Sequence, residues 1–417
     1  MIKGRFAYVI SAIITILLLL MAITDNTIFL YISVALSVLC IANPYVVFCS
    51  YFIASLSGAF FSVGTIGAAR LLSIITIISL LLKINNRNVF SNNYIWCMIL
   101  VVYSFLSCAT SVTGYITPFY NIIQCILVAC LLINTRVDPY KIINFIVLNS
   151  IIVLSALTIE VTLDPSILWE ERLSIGEVNS NDIAIMCEQL GSISIGSFMV
   201  FKKKSMRGVM VLASVISTII LLLSGSRAAL LGLLAAIVFV IFAGSKEGIK
   251  NNIFAILVIF IIGILFIHML SDIDSPILDR YDANDVIDTE GSGRLPYMKA
   301  IITQIIPYYP LFGVGMGGQN IMAMGIQKQC HNIVVDPISQ IGFIGYILFL
   351  AFIIPHIARS YKSLKISSVA IIPLTMTFAA IVNGIGEVVF YEKFFWNDIA
   401  LCGLIGYGVF HNRIDIE

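Results

Sequence analysis

The chain is divided into apolar runs of about 20 residues joined by mostly short polar connections, and this division limits its fold more than any motif does. A segment in the bilayer core meets no water, so its backbone amides must find partners within the segment, and a run of this length reads as a spanning α-helix. Up to fourteen such runs are present, near 6–24, 26–43, 45–62, 67–84, 94–112, 117–135, 141–162, 183–201, 208–224, 226–243, 252–270, 333–355, 366–386 and 397–412. Runs two and three are short and divided only by Asn43-Pro44, so twelve crossings also fit. The expected fold is all-α: one polytopic integral membrane domain over residues 1–417, with 12–14 transmembrane helices and a large loop carrying short interfacial helices. A content of 59% hydrophobic and 11% charged residues, with mean hydropathy +1.02, excludes an ordinary soluble globular protein.

Charge then orients the expected bundle. With the N-terminus and an even number of crossings on the cytoplasmic side, sixteen of the 24 basic residues fall inside, as basic residues near span ends do. Arg70, Arg172, Arg227, Arg280, Arg294, Lys299, Lys328 and Lys393 fall on or near the outer side and are candidates for something other than topology. The net charge of +1, with no basic cluster beyond Lys202 to Lys204, gives no reason to expect a nucleic-acid partner. Nine cysteines, mostly inside the runs, read as small apolar fillers, with Cys330 beside His331 as the exception, so no metal site is expected. The first run reads as a retained anchor.

Two outer loops are long, 164–182 and 271–332, and the second is the expected roof of an active site. Arg70, a few residues into the fourth run, is either an arginine reaching to the interface or a contact for an anionic ligand. In the first loop, Asn179-Ser-Asn-Asp182 reads as a helix cap, and Arg172 is a candidate substrate contact. Ser224-Gly-Ser-Arg227 is a very tight turn that places a guanidinium where a new helix exposes its first unpaired amides, a sound arrangement for phosphate. The acidic segment 271–290 lacks the full calcium-loop pattern and reads as a solvated face. Arg294 opens an expected surface helix over 295–306, where the dipole repels a cation unless an anion is shared. Gly313, Gly315, Gly317 and Gly318 could let backbone amides approach a substrate oxygen. His331 stands at the mouth of the next run with proton-transfer chemistry suited to neutral pH, Asn332 reads as that helix's cap, and the carboxylates of 386–393 could order neighbouring arginines.

The ordered set Ser224-Gly-Ser-Arg227-Ala-Ala-Leu-Leu-Gly, Gly291-Ser-Gly-Arg294, Pro310-Leu-Phe-Gly-Val-Gly-Met-Gly, His331-Asn332-Ile-Val-Val and Gln340-Ile-Gly-Phe-Ile-Gly345 resembles the O-antigen polymerase and O-antigen ligase superfamily. The resemblance covers roughly 172–350 and implies a multi-span GT-C glycosyltransferase of the bacterial inner membrane, working on the periplasmic side. It implies undecaprenyl-diphosphate-linked oligosaccharide as donor and acceptor, with no cofactor, nucleotide sugar or essential metal. Carried over to this chain, Arg227 and Arg294 hold the donor diphosphate, and His331 is the base that activates the acceptor hydroxyl. Arg172, Arg70, Asn332 and Gly315 are further substrate-binding candidates. Pro337 departs from a simple helix start and makes a kinked or delayed one the expectation. Polymerase is the preferred activity, with a chain-length regulator protein as a further partner. Ligase, with lipid A-core as acceptor, uses the same residues. A lipid-linked oligosaccharide flippase is the reading from another class, and the chain shows neither the related halves nor the midplane charges of one.

Overall fold

A computed structural model describes residues 4–64, 66–84, 92–114, 117–135, 137–163, 172–175, 178–243, 268, 277, 281, 293–387 and 389–410. The expected run 252–270, the acidic segment and Arg280, and the start of the first long loop lie almost wholly outside these residues. The described chain is an all-α polytopic membrane protein. Its elements are α1 (Gly4–Thr24), α2 (Thr27–Leu39), α3 (Pro44–Ser55), a hairpin of β1 (Ser62–Val63) and β2 (Ile66–Gly67), α4 (Ala68–Leu81), α5 (Asn92–Ala109), α6 (Thr117–Asn134) and α7 (Pro139–Leu163). They continue with α8 (Ser180–Val200), α9 (Lys204–Leu223), α10 (Arg227–Ala243), α11 (Arg294–Gln304), α12 (Gly318–Ala323), α13 (Val335–Ser363), α14 (Ile371–Asn383) and α15 (Lys393–Phe410).

Among the described residues, six helices are long and apolar enough to cross a membrane: α1, α6, α7, α8, α9 and α13. Runs two and three come out as two short helices parted at Asn43-Pro44, the division that leaves twelve crossings open. Asn26 caps α2 by accepting from the Ile28 amide, and Pro44 sits in the first turn of α3, so both helices start sharply. At 13 and 12 residues they reach about 20 and 18 Å, short of the roughly 30 Å hydrocarbon core.

Contacts between helix termini sort the bundle into two ends. At one end Tyr8 of α1 stacks on Phe145 of α7, which stacks on Tyr45 of α3, and Arg359 of α13 lies over the Tyr407 ring of α15. The other end gathers the starts of α8, α10, α13 and α15 with the ends of α5, α9 and α14. Over this second end lies α11, as the helical spacing predicts, and it carries its own small core of Ile301, Ile305, Val314, Ile321, Ile326 and Cys330. The described part of the roof, 293–332, is therefore a packed layer and not a bare loop.

The glycine-rich segment enters the bundle at a break in α13. Gly342 adopts φ 67°, ψ 178° inside that helix, and a side chain there would meet the Leu311 carbonyl oxygen at 2.1 Å. The freed backbone pairs with the incoming strand of chain: Phe343 donates to the Pro310 carbonyl at 2.8 Å, Val314 to Ser339 at 2.9 Å and Gly315 to Gln340 at 3.0 Å. Irregular backbone at this depth is tolerated because protein surrounds it and satisfies its polar groups.

Candidate active site

Glu387, in the loop between α14 and α15, is the centre of the site. Its side chain is only 8% exposed, yet it faces two cationic groups: Arg294 Nη2 lies 2.6 Å from Oε1 and His331 Nδ1 lies 3.2 Å from Oε2. Burial alone would raise the Glu387 carboxyl; the hydrogen bond from His331 and the charges of Arg294 and His331 outweigh it and hold the group below its ordinary value. An ionised Oε2 has no proton to give, so the hydrogen of this contact is on Nδ1. The other ring nitrogen, Nε2, is outside this contact and is the atom that can accept or give up a proton.

His331 is held in place by strained backbone. It is one of two described non-glycine residues at positive φ, at 54°. The strain persists because Asp336, buried in the first turn of α13, fastens both neighbours: its carboxylate accepts from the Cys330 amide at 3.3 Å and the Asn332 amide at 2.9 Å. Burial pushes the Cys330 thiol up, and its Sγ lies 3.4 Å from Asp336, so it is a packed thiol and not a nucleophile. Asn332 caps α13, accepting from the Val334 and Val335 amides, and donates to the Ile385 carbonyl at 3.1 Å. The Ile333 amide also donates to the Gly384 carbonyl at 2.6 Å. These bonds stitch the His331 segment to the loop that carries Glu387. The helix start is delayed to Val335, as Pro337 leads one to expect, and the proline falls in the first turn where a missing N–H does no harm.

Arg294 opens α11 after Gly293, whose φ of 75° turns the chain into the helix. Its N-cap residue, Gly293, makes no side-chain cap bond. One guanidinium nitrogen engages Glu387, and the other donors of the fork remain for a ligand. Gly386 brings the third element in: a side chain there would begin 3.1 Å from both Ala228 Cβ and Arg294 Nη1. The start of α10, which carries Arg227, is thus seated against the Glu387 loop.

The Arg227 turn is as tight as the sequence predicts, with Gly225 at φ 64° and the Ser226 amide donating to Ser224 Oγ at 3.3 Å. Arg172 braces it: Nε donates to the Ser224 carbonyl at 3.1 Å, and Nη2 makes a short bond to Asn181 Oδ1 at the start of α8. The cap of α8 is Asn179, which accepts from the Asn181 amide at 3.0 Å, while Asp182 lies in the first turn. Within the expected run Asn179-Ser-Asn-Asp182 the capping thus falls to Asn179 and not to Asp182. Tyr281, from the large loop, donates to the Leu222 carbonyl at 2.9 Å and ties the roof to the same turn.

The remaining candidates are placed elsewhere. Gly315 lies where a side chain would strike Ser111 at 2.1 Å, and its amide is engaged with Gln340. The Gly317 amide donates to Gln340 Oε1 at 2.8 Å, and Tyr391 donates to the same oxygen in a short bond. The glycine turn is therefore a tight seam between the roof and α13, with both of these amides pointing into protein. Arg70 stands apart, lining a separate cavity with Tyr391, Glu392 and Lys393. Asp336 carries no role in the sequence analysis, whereas Glu387, one of the 386–393 carboxylates expected to order arginines, does pair with Arg294. The one signal for Glu387 was a carboxylate in a short apolar loop, and nothing local pointed to His331 as its partner.

Residues 212–350 match the family model described as Wzy_C, O-antigen ligase. No curated protein matches the chain. The matched stretch contains Arg227, Arg294, His331 and Asp336, and Glu387 lies beyond it. Over this third of the chain the sequence is similar to the O-antigen ligase family.

Proposed function

We propose that this end of the bundle joins undecaprenyl-diphosphate-linked repeat units into polymer at the outer face of the bacterial inner membrane. One observation carries the reading: a single buried carboxylate holds a guanidinium and an imidazole on its two oxygens, beside the helix start of a second arginine. The donor sugar is already activated by its diphosphate, so the protein must steady the departing charge and remove one proton. The acceptor hydroxyl oxygen attacks the anomeric carbon while the bond from that carbon to the diphosphate oxygen breaks. The hydroxyl proton passes to His331 Nε2, Arg227 and Arg294 take the negative charge of the leaving undecaprenyl diphosphate, and the new glycosidic bond has inverted configuration. Glu387 orients the imidazole and stabilises it once protonated, as a buried carboxylate does for a catalytic histidine. Arg172 and Asp336 position the Arg227 turn and the His331 backbone.

Purified protein in proteoliposomes with lipid-linked repeat units should yield polymer, and Arg227→Ala, Arg294→Ala and His331→Ala should each abolish it at matched expression. Normal polymer from all three variants would remove the mechanism. The description of the matched family favours a second reading, transfer of finished glycan to lipid A-core by the same residues. Lipopolysaccharide gels of a deletion strain separate the two. Cores capped with a single repeat mark a lost polymerase, and bare cores with polymer left on carrier lipid mark a lost ligase.

A further inference from the structure

A second cavity opens at the same end of the bundle, with a volume of about 340 Å³. That is within the roughly 300–1,000 Å³ of small-ligand sites. Its walls come from the turn before α4, from Asn121 near the start of α6, and from Tyr391, Glu392 and Lys393 ahead of α15. Two cations face it, Arg70 and Lys393, and the ion pairs formed among the described residues include neither. An arginine that merely reaches for water needs no cavity and no second cation from a distant part of the chain.

The surface below Arg70 has its own character. Ile74, Ile78 and Leu81 follow it at helical spacing down one face of α4, and their exposures are 50%, 43% and 51%. In a membrane protein such a stripe faces acyl chains. A cationic cavity at its head and an apolar track beneath it fit an amphiphile with an anionic headgroup and a long hydrocarbon tail. Glu392 is compatible with an anion here: burial and the nearby Asp182 and Glu387 carboxylates, against Lys393, push its carboxyl up to about 7, so it carries a proton below neutrality.

We infer that this cavity binds the phosphorylated headgroup of a second polyprenyl-linked ligand, the acceptor repeat unit, with its tail along the Arg70–Ile74–Ile78 face of α4. The inference rests on the polymerase reading, because a ligase would meet only one polyprenyl carrier. Glu392 is five residues from Glu387, so the two sites lie within about 18 Å by chain length alone. An acceptor held by its diphosphate in one can reach its sugar end into the other.

Full-length protein in neutral-lipid nanodiscs, titrated with undecaprenyl diphosphate and scored by native mass spectrometry, should bind two molecules per chain. Arg70→Gln and Lys393→Gln should each weaken one binding event at least tenfold and leave the other, which Arg294→Ala removes. The weakened event should also fade as pH rises through about 7 in the parent protein, and keep its affinity there in Glu392→Gln. Inorganic pyrophosphate that competes as tightly as the lipid would show that the site serves a free anion, and would overturn the lipid assignment. A single binding event unaffected by Arg70→Gln and Lys393→Gln, or loss of both events in every variant, overturns the inference while polymer formation can still stand. Two events with no polymer in proteoliposomes would instead remove the polymerase reading and leave the site.

Discussion

Replacing Glu387 by glutamine tests the site at its centre, since Glu387→Gln keeps the shape and removes the charge. The carboxylate makes two charge-assisted contacts, at 2.6 Å to Arg294 and 3.2 Å to His331. Such bonds contribute roughly 1.5–3 kcal/mol each against about 0.5–1.5 for neutral ones, so the change forfeits about 2–3 kcal/mol in all. Arg294 and His331 are 28% and 38% exposed, and solvent screening moves the expectation to the lower end. A loss of about 2 kcal/mol corresponds to a roughly 30-fold fall in kcat/KM. The two contacts should also separate: the His331 side enters kcat, because the wrong tautomer presents no base, and the Arg294 side enters KM through donor binding. The assay is initial-rate polymer formation in proteoliposomes at varied donor concentration, with folding checked by size-exclusion chromatography. A kcat/KM within twofold of the parent would refute the argument that Glu387 sets the state of either partner.

Four further outcomes follow from the geometry. Arg294→Lys keeps the charge and loses the fork, so KM for the lipid-linked donor should rise about tenfold with a smaller change in kcat, read in the same assay. Asp336→Ala releases the Cys330 and Asn332 amides that hold His331 at φ 54°, and kcat should fall about tenfold while donor binding in nanodiscs is kept. Gly342→Ala puts a methyl group 2.1 Å from the Leu311 carbonyl at φ 67°, a clash and strain of at least about 3 kcal/mol, and the yield of monodisperse protein in detergent should collapse. The Glu387 carboxyl is depressed in the folded protein, so it binds fewer protons there than when unfolded. Its stabilisation is complete above its ordinary value of 4.5 and disappears as pH falls through the lower folded value. Thermal unfolding of parent and Glu387→Gln should differ by a constant margin above about pH 5 and converge in acid; a margin that grows on acidification would contradict the sign.

Much of this protein could be read from local pattern. The apolar runs specify helices because the bilayer demands that each segment satisfy its own amides, and that demand acts within about 20 residues of chain. The turn at Ser224-Gly-Ser226, the delayed start before Pro337, the Asn332 cap and the surface helix after Gly293 were all visible for the same reason: each is set by neighbours a few residues away. Arg227, Arg294 and His331 stood out as polar residues at apolar borders. Tertiary structure alone decided what those residues touch. Glu387 reaches Arg294 across 93 residues and His331 across 56, and no local signature encodes a pair that only folding brings together. The insertion of the glycine segment into a broken α13, and the meeting of Arg70 with Lys393 across one cavity, are decided in the same way. Helix formation is a short-range bargain between backbone and solvent, whereas the partner of a buried charge is chosen by whichever distant element packs against it.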